Sequence, residues 1–358
     1  MRKEALDTPA LVVDLDILEG NIRQIAETCR RAGVGWRPHV KGQKTIEMVR
    51  RELAAGAVGI TCAKLGEAEA LLESGVDDIL IANQIVGASK IERLVRIQRR
   101  ARVMPSVDCL ENVAAIGAAA SLHAATVPVM LEIDTGMGRA GVAPGAAALD
   151  LARAVRGTPG VELAGVMTWE GHTTRIGDPA AKRAGIGEAI AMLVDSADRI
   201  RCAGMEVPIV SCGGTGTYET AAFLPGITEI QAGGGAFSDL ACRDLYHVDR
   251  PCALTVMTTV VSRPSPRRIV CDTGKKSMSS DTCAPQPLGL DGVTAVRLSA
   301  EHAIVELAEA RAWPVVGDRL EFVVGYADTT VHLHDEIYAS RDGVIREIWP
   351  VVGRGRVR

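Results

Sequence analysis

Between about residue 11 and residue 235, short apolar runs alternate with longer stretches in which apolar residues recur three and four positions apart. The first pattern predicts buried strands and the second amphipathic helices. Strands are expected at residues 10–15, 35–41, 59–63, 78–83, 102–108, 127–134, 161–169, 207–212 and 228–232. Helices are expected at 17–31, 65–74, 89–100 and 180–202, with another beginning at Thr45. Alternation this regular predicts βα units on a parallel sheet. Right-handed crossovers repeated about eight times close into a (β/α)8 barrel of the TIM type. An open doubly wound sheet is the competitor, but no G-x-G-x-x-G follows the first strand. Gly136, Gly138 and Gly141 match that spacing only in mid-chain.

Past about residue 245 the helical spacing disappears. Residues 254–262, 268–272, 303–307, 319–324, 336–339 and 344–349 read as strands divided by Pro, Gly and Asp turns. This predicts an antiparallel β domain. The expected division is a barrel over residues 15–245 and a β domain built from 1–14 and 246–358. The strand at 10–15 suits either.

Composition narrows the class. Of 358 residues 47% are hydrophobic but only 3% aromatic. The core is therefore aliphatic, as strands buried on both faces require. The net charge is −4 and no basic stripe appears, which argues against nucleic acid and anionic membrane as partners. Nine scattered cysteines form no C-x-x-C pair. The N-terminus leads into charged sequence without an apolar signal core, and no apolar run reaches transmembrane length. A reducing cytoplasm is the expected compartment.

Several polar groups fall at expected strand ends, the face of such barrels that carries chemistry. Lys41 closes Arg37-Pro38-His39-Val40-Lys41. Burial there would lower its pKa and suit it to Schiff-base formation; the plain alternative is a surface lysine that ends a strand. Asp134-Thr135-Gly136-Met137-Gly138-Arg139-Ala140-Gly141 and Trp169-Glu170-Gly171-His172 follow two later strands. Cys212-Gly213-Gly214-Thr215-Gly216-Thr217 and Gln231-Ala232-Gly233-Gly234-Gly235 follow the last two. Glycine loops present backbone N–H groups to an oxyanion, and a helix starting at Thr217 would add its dipole. The alternative is that the glycines only make tight turns. A lysine and a phosphate cradle on one barrel mouth point to pyridoxal phosphate, with a Schiff-base sugar-phosphate aldolase as the nearest competitor.

These motifs, with Thr8-Pro9-Ala10-Leu11-Val12-Val13-Asp14 and Glu229-Ile230-Gln231-Ala232-Gly233, resemble the D-threonine aldolase / D-serine dehydratase family. Its members are alanine-racemase-like, fold-type III pyridoxal-phosphate enzymes. The resemblance runs in order as far as Arg354 and covers nearly the whole chain. It implies that Lys41 carries the imine to the cofactor. His39, Gln231, residues 213–217 and residues 233–235, Gly233 and Gly234 among them, fall in the cofactor-binding motifs. Arg139 falls near the cofactor's phenolic oxygen, and Trp169 stands where many relatives carry a tyrosine. A homodimer is also implied.

The resemblance further implies a His-x-Cys or His-x-Asp pair for a divalent ion. Aligned through Leu333-His334-Asp335-Glu336, that pair falls on Tyr326 and Asp328, so a phenol replaces the histidine. A carboxylate and a neutral phenol make a poor metal site. His332 or His334 offers a substitute, since both share parity with Asp328 on a continuous strand. His302 matches a Glu-His pair of the family.

The activity implied is lysis of a D-3-hydroxy amino acid, by retro-aldol cleavage of a D-threonine-like substrate to glycine and an aldehyde. Hydroxyl activation would fall to His172, His302 or Asp328. Alternatives are a D-serine or 3-hydroxyaspartate-type dehydratase, and a racemase using Tyr326 as proton donor. A non-catalytic pyridoxal-phosphate carrier is disfavoured by the added β domain.

Overall fold

The computed structural model describes residues 1–358. They form two units, one of Met1–Arg23, Gly42–Ile46 and Gly234–Gly355, the other of Gln24–Lys41, Glu47–Gly233 and Arg356–Arg358. Strand β1 (Ala10–Asp14) comes first. The Asp14 carboxylate then accepts the N–H groups of Asp16 and Ile17, each at 3.0 Å, and opens helix α1 (Leu15–Ala32). Leu18, Ile22, Ile25 and Cys29 form its buried stripe.

The alternation continues as β2 (Gly35–Trp36), α2 (Ile46–Ala54), β3 (Ile60–Cys62), α3 (Leu65–Leu71), β4 (Asp78–Gln84), α4 (Ala88–Ile97) and β5 (Arg102–Val107). There follow α5 (Leu110–Leu122), β6 (Val127–Glu132), α6 (Ala146–Gly157), β7 (Val161–Met167), α7 (Pro179–Cys202), β8 (Ile209–Cys212), α8 (Tyr218–Ala221) and β9 (Glu229–Ile230). Strands β2 to β9 make one eight-stranded sheet in the order β2-β9-β8-β7-β6-β5-β4-β3, with every pair parallel. Its two edges meet. Val58 donates its N–H to Trp36 O and Thr61 donates to Pro38 O, both at 2.8 Å, and His39 bridges Thr61 in parallel. The sheet is thus a closed βα barrel, as the alternation predicts.

The strand expected at 35–41 is shorter than its pattern. Regular β2 ends at Trp36, although Arg37 and His39 still donate N–H groups to Ile230 O and Gln231 O at 2.8 and 3.0 Å. Pro38 has no N–H for the other side. At Val40–Gly42 the chain leaves the ladder in a 3-10 turn.

The barrel interior has an apolar layer and an ionic knot. Leu80, Met104, Met130, Ala164 and Met167 pack together, flexible thioethers filling the taper. Arg37 is buried as well. Its Nε and Nη1 donate at 2.8 Å to Glu229 of β9 and Asp78 of β4, and Nη1 also reaches the Asp78 carbonyl. The guanidinium crosses Gly59, where a Cβ would lie 2.4 Å from Nη1. Burial pulls its pKa down, but Glu229 and Asp78 more than offset this and hold it above the ordinary value.

The other unit is a nine-stranded sheet. It adds β10 (Leu254–Ser265), β11 (Arg268–Cys271), β12 (Gln286–Pro287), β13 (Val293–Leu298), β14 (Ala303–Leu307), β15 (Arg319–Val323), β16 (Glu336–Arg341) and β17 (Val344–Pro350) to β1. The order is β13-β14-β11-β10-β1-β16-β17, with β15 pairing β10 and β12. All pairs are antiparallel except β1 with β16. Leu6, Ala10, Val12 and Met257 are one of its buried clusters. No helix in the chain is long and apolar enough to cross a membrane.

Removing Arg37 leaves buried Glu229 without its cation and part-buried Asp78 with only the exposed Arg102. Arg37→Ala is expected to cost about 3–5 kcal/mol, read from urea unfolding. A loss within about 0.5 kcal/mol, typical of a surface site, would mean the knot does not hold the barrel.

Candidate active site

Because β2 to β9 are parallel, the segments after their C-terminal ends share one rim. Lys41 lies there, on the turn after β2, and it is exposed rather than buried. The exposure follows from the early exit at Pro38: the side chain stands beyond the ladder. Its backbone N–H donates to Nδ1 of half-buried His39 at 3.4 Å. Gly233, after β9, lies against the His39 backbone; a Cβ would fall 2.2 Å from His39 O, so only glycine fits. Gln231, also after β9, is buried and donates its side-chain amide to Ser211 Oγ at 3.0 Å. Gly234 begins the 3-10 turn Gly234–Ala236 in the other unit.

The segment after β6 is shaped by its own aspartate. Asp134 accepts the N–H groups of Gly136 and Gly138 at 3.0 Å. Burial pushes its carboxyl up, but the N–H groups of Gly138, Gly136 and Met137 and the charge of His172 pull it below the ordinary value. The ring of exposed His172 stands over Gly136, where a Cβ would lie 2.9 Å from Nε2. Arg139 is exposed, with Nη2 3.6 Å from Oε1 of buried Glu132. Gln84, at the end of β4, donates to the other Glu132 oxygen at 2.7 Å. Burial holds the Glu132 carboxyl above the usual range despite Gln84 and Arg139. Gln84 was not among the expected site residues; the signal was a polar Asn83-Gln84 pair ending an apolar strand.

The loop after β8 is tied down from beneath. Gly213 has φ +82°, a left-handed conformation that favours glycine. Its N–H donates to Glu170 Oε2 at 3.3 Å, and that of Gly214 donates to Thr217 Oγ1 at 3.0 Å. Thr215 and Gly216 therefore form the outward turn. Half-buried Trp169 covers Gly214, where a Cβ would lie 2.3 Å from the indole ring. The expected helix after Thr217 is the single turn α8, too short for a substantial dipole. A primary amine after β2 and an N–H-rich, hydroxyl-bearing loop after β8, with only β9 between them in the sheet, fit a phosphate-bearing aldehyde.

The remaining candidates lie in the other unit. Tyr326 donates its hydroxyl to Asp328 Oδ2 at 3.0 Å. Burial first, then Asp328 and Tyr246, push that phenol far above its usual range, so it stays neutral. A Cβ on Gly42 would lie 2.1 Å from Asp328 Oδ1, which shows how closely the carboxylate approaches that backbone. The continuous strand assumed for Asp328, His332 and His334 does not form. Two 3-10 turns, Ala327–Thr329 and Val331–Leu333, replace it and break the shared parity. His334 Nε2 is 2.7 Å from Ser277 O, a contact in which it must be the donor. His332 is exposed, and His302 is exposed on the turn it forms with Ser299. No three His, Cys, Asp or Glu side chains gather as a ligand set. These donors do not fit a divalent ion.

Residues 13–240 match the alanine racemase N-terminal domain, and residues 253–340 match a putative serine dehydratase domain. The chain is 34% identical to the D-threonine aldolase of Arthrobacter sp. over 98% of its length and 93% of that protein's. It is 32% identical to the 3-hydroxy-D-aspartate aldolase of Paracoccus denitrificans over 99% of its length and 94% of that protein's. The crystal structure of D-threonine aldolase from Filomicrobium marinum superposes with a TM-score of 0.95 at 32% identity, covering 99% of this chain and 97% of that one. Fold and rim together define an alanine-racemase-like barrel enzyme. The chain belongs to the D-threonine aldolase / D-serine dehydratase family, which implies pyridoxal phosphate as its cofactor.

Asp134 gives a pH signature. Its folded pKa is lowered, so its stabilisation is present above the unfolded value, near 3.9, and lost as pH falls through the folded one. The gap in thermal midpoint between wild type and Asp134→Asn should be open at neutral pH and close below about pH 4. An equal gap at both ends of the range would show that the charge is not its source.

Proposed function

We propose that this chain is a pyridoxal-phosphate-dependent lyase that cleaves a D-threonine-like 3-hydroxy amino acid into glycine and an aldehyde. The full-length likeness to two D-specific aldolases carries the reading. The rim supports it: the Lys41 amine would hold the cofactor aldehyde, and the residue 213–217 loop with Gly233 would hold its phosphate. Arg139, kept beside Glu132, would face the phenolic oxygen, with Trp169 at the ring. When bound, the cofactor supplies an electron sink for the pair released at Cα.

His172 takes the 3-hydroxyl proton at an imidazole nitrogen. The Asp134 carboxylate, pinned by glycine N–H groups, holds the loop that His172 stands over. As the proton leaves, the Cα–Cβ bond breaks, the hydroxyl carbon becomes the aldehyde carbonyl, and a proton delivered to Cα completes glycine. No step passes through a divalent ion, because the Tyr326 phenol donates to Asp328 instead of leaving a ligand pair. Nine cysteines without a disulfide suit a reducing cytoplasm, and the family resemblance implies a homodimer, which light scattering tests.

The deciding assay offers D-threonine, D-3-hydroxyaspartate and D-serine and identifies the products. Glycine with an aldehyde is expected. A 2-oxo acid with ammonia would make the enzyme a dehydratase, and solvent deuterium at Cα with loss of optical activity would make it a racemase. Lys41→Ala should abolish turnover and the visible imine band, and His172→Ala should lower kcat by about 10²–10⁴-fold.

Metal dependence is read separately. EDTA should leave wild-type turnover unchanged, and bound metal should be absent from the purified protein by mass spectrometry. Tyr326→His should raise bound divalent metal. Loss of activity on chelation, restored by one metal, would refute the metal-independent reading.

A further inference from the structure

One buried acid at the rim has no part in the chemistry above. Glu170, which follows Trp169, is fully buried at 0% exposure. Its Oε1 lies 2.5 Å from Thr217 Oγ1, and its Oε2 accepts the Gly213 N–H at 3.3 Å. Thr217 Oγ1 in turn accepts the N–H of Gly214 at 3.0 Å. One carboxyl therefore grips both ends of the loop whose outward turn is Thr215 and Gly216. No arginine or lysine neutralises it; burial, Thr217, its own backbone and Gly213 are what act on it.

We propose that Glu170 is a positioning residue: it holds residues 213–217 in the shape that receives a phosphate, and so selects the phosphorylated cofactor over the free aldehyde. This rests on the pyridoxal-phosphate reading of the rim. An ionised Glu170 would be a buried charge without a cation, next to the loop that receives a phosphate dianion, and both circumstances oppose ionisation. Burial holds its carboxyl above the usual range against the hydrogen bonds of Thr217 and Gly213. As the neutral acid, Glu170 donates from Oε1 to Thr217 Oγ1 and accepts from Gly213 at Oε2. The Thr217 hydroxyl proton is then turned away from Glu170, with the long contact to Gly214 O at 3.4 Å as its acceptor within the loop, and can pass from there to a phosphate oxygen. As a carboxylate, Glu170 would take that proton, leaving one donor fewer and one negative charge more. The neighbouring Cys212 thiol, pushed up by its own complete burial, stays neutral and adds no charge.

Glutamine mimics the neutral acid, because its amide donates to Thr217 while its carbonyl accepts from Gly213. Alanine removes both contacts. The test strips the cofactor from the full chain with a competing amine, then titrates wild type, Glu170→Gln and Glu170→Ala with pyridoxal phosphate and with pyridoxal, following the imine band. Wild type and Glu170→Gln should share a strong preference for the phosphorylated ligand. Glu170→Ala should lose about 10-fold or more in affinity for it. All three should bind pyridoxal alike, which shows that the fold and Lys41 are intact. The proposal is overturned if Glu170→Ala keeps wild-type affinity for pyridoxal phosphate, if Glu170→Gln falls as far as Glu170→Ala, or if Glu170→Ala weakens both ligands equally. A wild type without preference for the phosphate would remove the phosphate-cradle reading itself, and the proposal with it.

Discussion

The barrel is held closed by a buried cation. The strands on one side of the closure are its shortest; β2 and its neighbour β9 have two residues each. A two-residue parallel ladder contributes little, so side chains must finish the closure. Arg37 does so with a planar fork that lysine could not reproduce, one arm on β9 and the other on β4. Its position in Arg37-Pro38-His39-Val40-Lys41 ties architecture to chemistry. The residue that ties the cylinder together lies four positions before the lysine at its rim, and the hydrogen bonds of Arg37, Pro38 and His39 to the flanking strands connect the two.

Three carboxyls near that rim show how surroundings divide one functional group into several roles. Asp134 collects backbone N–H groups and stays anionic. Glu132 is buried with an amide on one oxygen and a distant guanidinium on the other, and holds its proton more tightly than usual. Glu170 is the most enclosed, with hydroxyl and N–H neighbours but no cation. Exposure falls along this series, from half-buried Asp134 to fully enclosed Glu170, and the tendency to ionise falls with it.

Much of this was legible in the amino-acid pattern. Repeated βα texture gave the closed parallel sheet, and its end near residue 245 gave the antiparallel one. The lysine and the glycine loops stood out because chemistry in a barrel gathers where strands finish. Arg37 was not legible as the closing residue. A charged residue beside a strand reads as surface, and its partners lie 192 and 41 positions away. The segment from Tyr326 to His334 misled for a different reason. Its polar residues alternate like a strand, but Thr330 and Leu333 donate three residues back, to Ala327 and Thr330, and the backbone coils. Alternation cannot tell a ladder from two tight turns when no partner strand is available.

The indole of Trp169 lies across Gly214, close enough that the loop cannot shift without disturbing the ring's surroundings. The chain has four tryptophans, and two of them, Trp36 and Trp349, are fully buried. Half-buried Trp169 is therefore the tryptophan whose surroundings change when residues 213–217 move, which makes its emission an optical gauge of that loop once exposed Trp313 is replaced.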